Sequence, residues 1–175
     1  RRHRPPMEVE GAALLYTLAT LAITFAGFAA LLLILRQLAG GSLTALDRFL
    51  ARTVVAHCVW FALGALTPPL LALFDLPKSV VWKTSALVFG LPMLALLLSF
   101  QHRRIKATGH GAPPFILVVM VGLGSLSLVA MIAAEWFGFA AAGSYAAALL
   151  FNFGTLALSF LVALEVILRE RSRES

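Results

Sequence analysis

Acidic side chains are the scarcest chemistry in this chain: Asp and Glu together number 8 in 175 residues, and charged residues of both signs make up 13%. A soluble domain carries about 25%. Hydrophobic residues, at 61%, take up the difference and give a mean hydropathy of +0.93, so the composition excludes a soluble globular domain and points to a polytopic membrane protein. The single cysteine, Cys58, excludes an intramolecular disulfide and a cysteine-built metal cluster. The motifs of familiar chemistry are missing too: no G-x-S-x-G, no H-E-x-x-H, no phosphate-binding loop and no pair of deep carboxylates. The chain is accordingly not expected to be an enzyme, and no cofactor or metal site is expected. A net charge of +6 does not indicate nucleic acid as a partner, because the basic residues fall in short clusters between apolar runs.

What the chain does have is apolar length. A bilayer core about 30 Å thick needs about 20 residues of helix, and five segments supply it: residues 11–35, 49–74, 79–100, 114–137 and 144–168. The expected fold class is all-α, a bundle of five transmembrane helices. Residues 1–10 form an N-terminal arm, with Met7 the expected natural start, and 169–175 form a basic cytoplasmic tail. The first apolar run is about 25 residues, against roughly 7–15 in a signal peptide, and is expected to be retained as a span. Turn chemistry falls between the runs: Gly40, Gly41 and Ser42; Thr44 with Asp47 as a capping pair; Pro77; and Gly109, Gly111, Pro113 and Pro114.

Basic residues in short loops set orientation. Arg36, Arg48 and Arg52, then Arg103, Arg104 and Lys106, then Arg169, Arg171 and Arg173 all fall on one side. The other side holds Glu8, Glu10, Asp75, Lys78, Lys83 and Glu135, which predicts the N-terminus out and the C-terminus in. Tyr16, Trp82, Trp136 and Tyr145 lie near the outer ends, where an aromatic belt belongs. Arg1, Arg2 and Arg4 disagree with this orientation, which is why the start is placed at Met7. Short arginine-rich loops between Ala- and Leu-rich spans fit a multi-pass protein of a bacterial inner membrane.

No ionisable residue is predicted near the midplane of any span, which argues against proton relays and charge-coupled transport. His57 lies five residues past Arg52, about 7.5 Å along the helix. It is first a hydrogen-bonded polar end of its span and second a pH-sensitive group near the cytoplasmic mouth. A haem or metal role would need a second ligand at that depth, and His102 and His110 fall in a loop. Pro68 and Pro69 predict a kink whose lost backbone bond is met by a neighbour or water. Lys83 is expected to snorkel to the headgroups, and Glu165 to pair with Arg169 one turn on.

Neutral polar residues recur on two helices. Thr17, Thr20, Thr24 and Gly27 share one face of the first span; Ser144, Ala148, Asn152, Thr155 and Ser159 share one face of the fifth. The candidate pore or helix-contact residues are Asn152, Thr155, Ser159, Thr17, Thr20 and Thr24. The run "VGLGSLSLV" of the fourth span, with Gly122, Gly124, Ser125 and Ser127, is a close-packing surface. Arg103, Arg104 and Lys106 are candidates to contact anionic lipid headgroups at the cytoplasmic face. The expected function is a small homo-oligomeric pore or channel that passes ions or small solutes passively along these neutral faces. The alternative is an accessory or scaffold subunit of a larger membrane complex, with the same faces as helix contacts. A lipid-handling protein working through the basic loop and His102 stands third. The partners implied are membrane lipids and either further copies of the chain or another membrane protein.

Overall fold

The computed structural model describes Val9 and residues 11–38, 44–109, 115–139 and 141–174; within its helices the side chains at 36, 116–117, 141, 159 and 162–174 are not described. Among the described residues six helices follow in order: α1 (Ala12–Leu38), α2 (Ala45–Ala72), α3 (Lys78–Leu98), α4 (Phe100–Thr108), α5 (Phe115–Phe137) and α6 (Ala141–Glu174). Four segments, Ala12–Leu35, Ala45–Ala72, Lys78–Leu98 and Val118–Phe137, are long and apolar enough to cross a membrane. The described residues are all-helical, and four helices of this length and composition indicate a multi-pass membrane protein. In α6 the apolar residues whose side chains are described run over Ala142–Leu158, and the helix continues through the residues expected to form a basic tail.

Local chemistry sets the helix ends. Thr44 and Asp47 form the expected capping box: the Asp47 N–H donates to Thr44 Oγ1 at 3.1 Å, and the Thr44 N–H donates to Asp47 Oδ2 at 2.8 Å. Two orphan amides at the start of α2 are thereby satisfied. The span therefore opens at Ala45, a turn earlier than its apolar character begins. Beyond α3 a loop was expected, yet the chain re-enters helix as α4. Nothing between Ser99 and Thr108 breaks a helix, and Gln, Arg, Lys and Ala favour one. The stop comes at Gly109, whose φ of 81° suits a residue without a Cβ. The turn signals expected at Gly40, Gly41, Ser42, Gly111, Pro113 and Pro114 lie outside the described residues, as does the Glu165–Arg169 side-chain pair.

The helices pack in sequence, α1 on α2, α2 on α3, α3 on α5 and α5 on α6, and α6 closes the bundle against α2 and α1. Phe61, Phe89, Met131, Tyr145 and Leu149 fill the centre, each 2% exposed or less. Phe61 meets Phe89 edge to face at 6.1 Å, and Tyr145 meets Trp82 at 5.5 Å. Trp82 and Tyr145, expected in an aromatic belt, are thus core residues; Tyr16 and Trp136 are exposed.

Tyr145 is buried for a reason that begins in α2. Pro68 has no N–H, so the carbonyl of Gly64 one turn earlier lacks its helical donor. The Tyr145 hydroxyl donates to that carbonyl at 2.7 Å. Gly64 serves a second contact as well, since a Cβ there would collide with the Phe89 ring. One residue of α2 therefore fixes the approach of both α3 and α6.

Gly64→Ala is expected to destabilise the bundle by about 1–3 kcal/mol, the usual cost of overpacking a filled core. Its melting temperature in mild detergent should fall, while Gly122→Ala, at a site with nothing within 4 Å of the added carbon, should leave it unchanged.

Candidate functional site

At the end of the bundle that carries Arg103 and Arg104, five helices leave a partly open cavity of about 50 Å³. α2 contributes Thr53 and His57, α6 contributes Thr155, and the remaining wall is apolar, with Leu97, Phe100 and Met120 from α3, α4 and α5. The α2 pair follows from spacing, because positions four apart share one helix face. His57 is 6% exposed. Its Nε2 has no hydrogen-bond partner, and neither has the buried Thr53 Oγ1. Thr155 is differently placed: its hydroxyl donates to the Asn152 carbonyl at 2.8 Å. No charged side chain lines the cavity among the described residues.

One turn before Thr155, Asn152 is fully buried. Its Nδ2 donates to Ser127 Oγ at 2.8 Å and to the Ala148 carbonyl at 2.9 Å, and Ser127 in turn donates to the Gly124 carbonyl at 2.8 Å. Small residues of "VGLGSLSLV" thus admit the amide between α5 and α6. Gly124 sits closest, where a Cβ would stand 3.2 Å from Leu97 and 3.5 Å from Asn152 Oδ1. That oxygen and Ser125 Oγ are buried with no partner. The polar face of α6 therefore turns inward in the protomer.

The chain matches no family model, no curated protein and no solved structure.

The α1 threonines are elsewhere. Thr17, Thr20 and Thr24 all lie on the exposed side of their helix, and their hydroxyls donate to the carbonyls of Ala13, Tyr16 and Thr20 at 2.8, 2.9 and 2.9 Å. The two neutral stripes do not meet within one molecule. Ser159, the last of the α6 stripe, lies outside the described side chains. The basic residues of α4 are placed differently from one another. Arg103 folds back to cap α3, donating from Nη2 to the Leu96 carbonyl at 2.8 Å and from Nε to Ser99 Oγ at 3.1 Å, and burial pulls its pKa below the ordinary value. Arg104 is 8% exposed and donates to Gln101 Oε1 at 3.3 Å. Lys106 and His102 are exposed.

At the opposite end the structure assembles residues that spacing alone did not connect. Glu135, at the end of α5, is 2% exposed and accepts from Ser144 Oγ at 3.0 Å. Lys83, half-buried, lies within electrostatic reach of that carboxylate and stacks over Trp136 at 5.6 Å from the ring centroid. This cluster joins α3, α5 and α6. In the sequence Glu135 was only an outer-side charge, and Thr53 carried no signal beyond its spacing to His57.

The Asn152–Ser127 contact has a direct test. A double-mutant cycle with Asn152→Ala and Ser127→Ala, read as unfolding free energy in detergent, should give a coupling of about 0.6–2 kcal/mol, the range of interhelical hydrogen bonds in membranes.

Proposed function

We infer that the chain is a non-catalytic subunit or scaffold of a larger membrane assembly, crossing the bilayer five times with its N-terminus outside and its C-terminus in the cytoplasm. The placement follows the arginine bias at the α4 end, and the short arginine-rich connections fit a bacterial inner membrane. The observation that carries the subunit role is the outward ridge of Thr17, Thr20, Thr24 and Gly27 on α1. Small residues at i, i+3, i+7 and i+10 leave a flat surface on which a second helix can come close. Each hydroxyl already holds a carbonyl of its own helix, so the ridge enters lipid or an interface with no unpaired donor. Asn152 points the same way: its amide is engaged inside the protomer and adds no polar group to a path between molecules.

A homo-oligomeric pore stands second, on the same ridge. A ring of copies with α1 inward would line a central path with hydroxyls, and Leu or Ile neighbours would gate it by dewetting. The two differ in who sits against α1.

Native mass spectrometry from membranes of the source cell, in mild detergent, separates them. A fixed complex with a different chain is expected, lost on Gly27→Leu together with Thr20→Leu while the melting temperature holds. A closed ring of identical chains would replace the subunit role with the pore, and a monomer indifferent to both substitutions would overturn both.

A further inference from the structure

The cavity beside His57 is polar along α2 and at Thr155 and apolar elsewhere, and that asymmetry indicates what it holds. His57 Nε2 and Thr53 Oγ1 are both buried without partners and stand one turn apart on α2. An unsatisfied buried polar atom costs free energy comparable with a lost hydrogen bond. An occupant that supplies those bonds is therefore favoured.

Water alone fits poorly. A buried water needs about 10–15 Å³ and two to four polar partners. The cavity of about 50 Å³ has room for several, of which one can bridge Thr53 Oγ1 and His57 Nε2 while the Thr155 hydroxyl, donating to the Asn152 carbonyl, can only accept; the others would lie against the apolar wall. Waters at that wall would face Leu97, Phe100 and Met120 with nothing to bond. An anionic or cationic head fits no better, since no charged side chain lines the space among the described residues. A bulky ring is too large, because an apolar cavity that holds benzene measures about 150 Å³.

We propose that this cavity is the binding site of an uncharged single-chain amphiphile, whose hydroxyl or carbonyl head is held by Thr53 Oγ1 and His57 Nε2. Its first carbons lie along Leu97, Phe100 and Met120, and its chain leaves through the open side into the bilayer. The site is independent of the α1 ridge and of what binds there.

The probe is a long-chain primary alcohol carrying a diazirine beside the hydroxyl, photolysed with the protein in phosphatidylcholine nanodiscs and mapped by peptide mass spectrometry. Adducts are expected in 50–57 and 96–100, removed by excess unlabelled alcohol and not by an alkane of equal length. Thr53→Val and His57→Leu should each reduce them by about tenfold, as loss of one hydrogen bond worth 1.4 kcal/mol would. Thr53→Val exchanges a hydroxyl for a methyl at nearly constant volume, so it decides the matter if His57→Leu does not fold. No adduct in these segments, as a cavity holding water only would give, overturns the proposal. So does equal competition by the alkane, or undiminished labelling of Thr53→Val.

Discussion

The carbonyl of Gly64 is where the bundle is tied together. Pro68 removes the amide that would have bonded it, and a bare carbonyl inside a membrane protein must find another donor. The donor is the phenol of Tyr145, on the last helix, at 2.7 Å. Because that oxygen must be reached from α6, Tyr145 is drawn into the core beside Trp82 and Phe89. Because Gly64 has no side chain, Phe89 of α3 can approach the same turn. A defect in one helix becomes the register of three.

The two ends of the bundle differ around this centre. Toward the Lys83 end, the Glu135–Ser144 hydrogen bond ties α5 to α6, and among the described residues the buried polar side chains there are paired. Toward the Arg103 end, α2 brings Thr53 and His57 to a space that side chains do not fill, while Arg103 spends its donors on the end of α3. Among the described residues, the unfilled space with unpaired polar groups on its wall therefore lies at one end of the bundle. The outer face of α1 is the remaining surface with a pattern of its own.

Much of this was legible in the sequence where the cause is local. Apolar length gave the membrane class, and Thr44 with Asp47 gave the start of α2, because a capping box is complete within four residues. Pro68 announced a missing bond but not the residue that answers it, Tyr145, 81 positions from the Gly64 carbonyl in sequence. Inward and outward faces were not readable in spans that are apolar all round. That is why the α1 threonines and the α6 stripe looked alike, although one faces out and Asn152 is sealed inside. Tyr145 and Trp82 matched an interfacial belt by position near span ends, which composition cannot distinguish from burial against a neighbouring helix. His57 was visible as a polar intrusion, and its cavity was not, since its walls come from five helices. Arg103 and Arg104 advertised charge, while their use in capping and packing depended on α4 forming where a loop was expected.

The Tyr145 phenol stands in for the amide that Pro68 lacks. A thermodynamic cycle of Tyr145→Phe and Pro68→Ala, measured as unfolding free energy in detergent, tests it most directly. Tyr145→Phe in the natural chain should cost about 1–2 kcal/mol. In the Pro68→Ala background it should cost close to nothing, because the new amide at position 68 takes the Gly64 carbonyl. An equal cost in both backgrounds would show that the phenol stabilises the bundle by packing alone and would contradict the account.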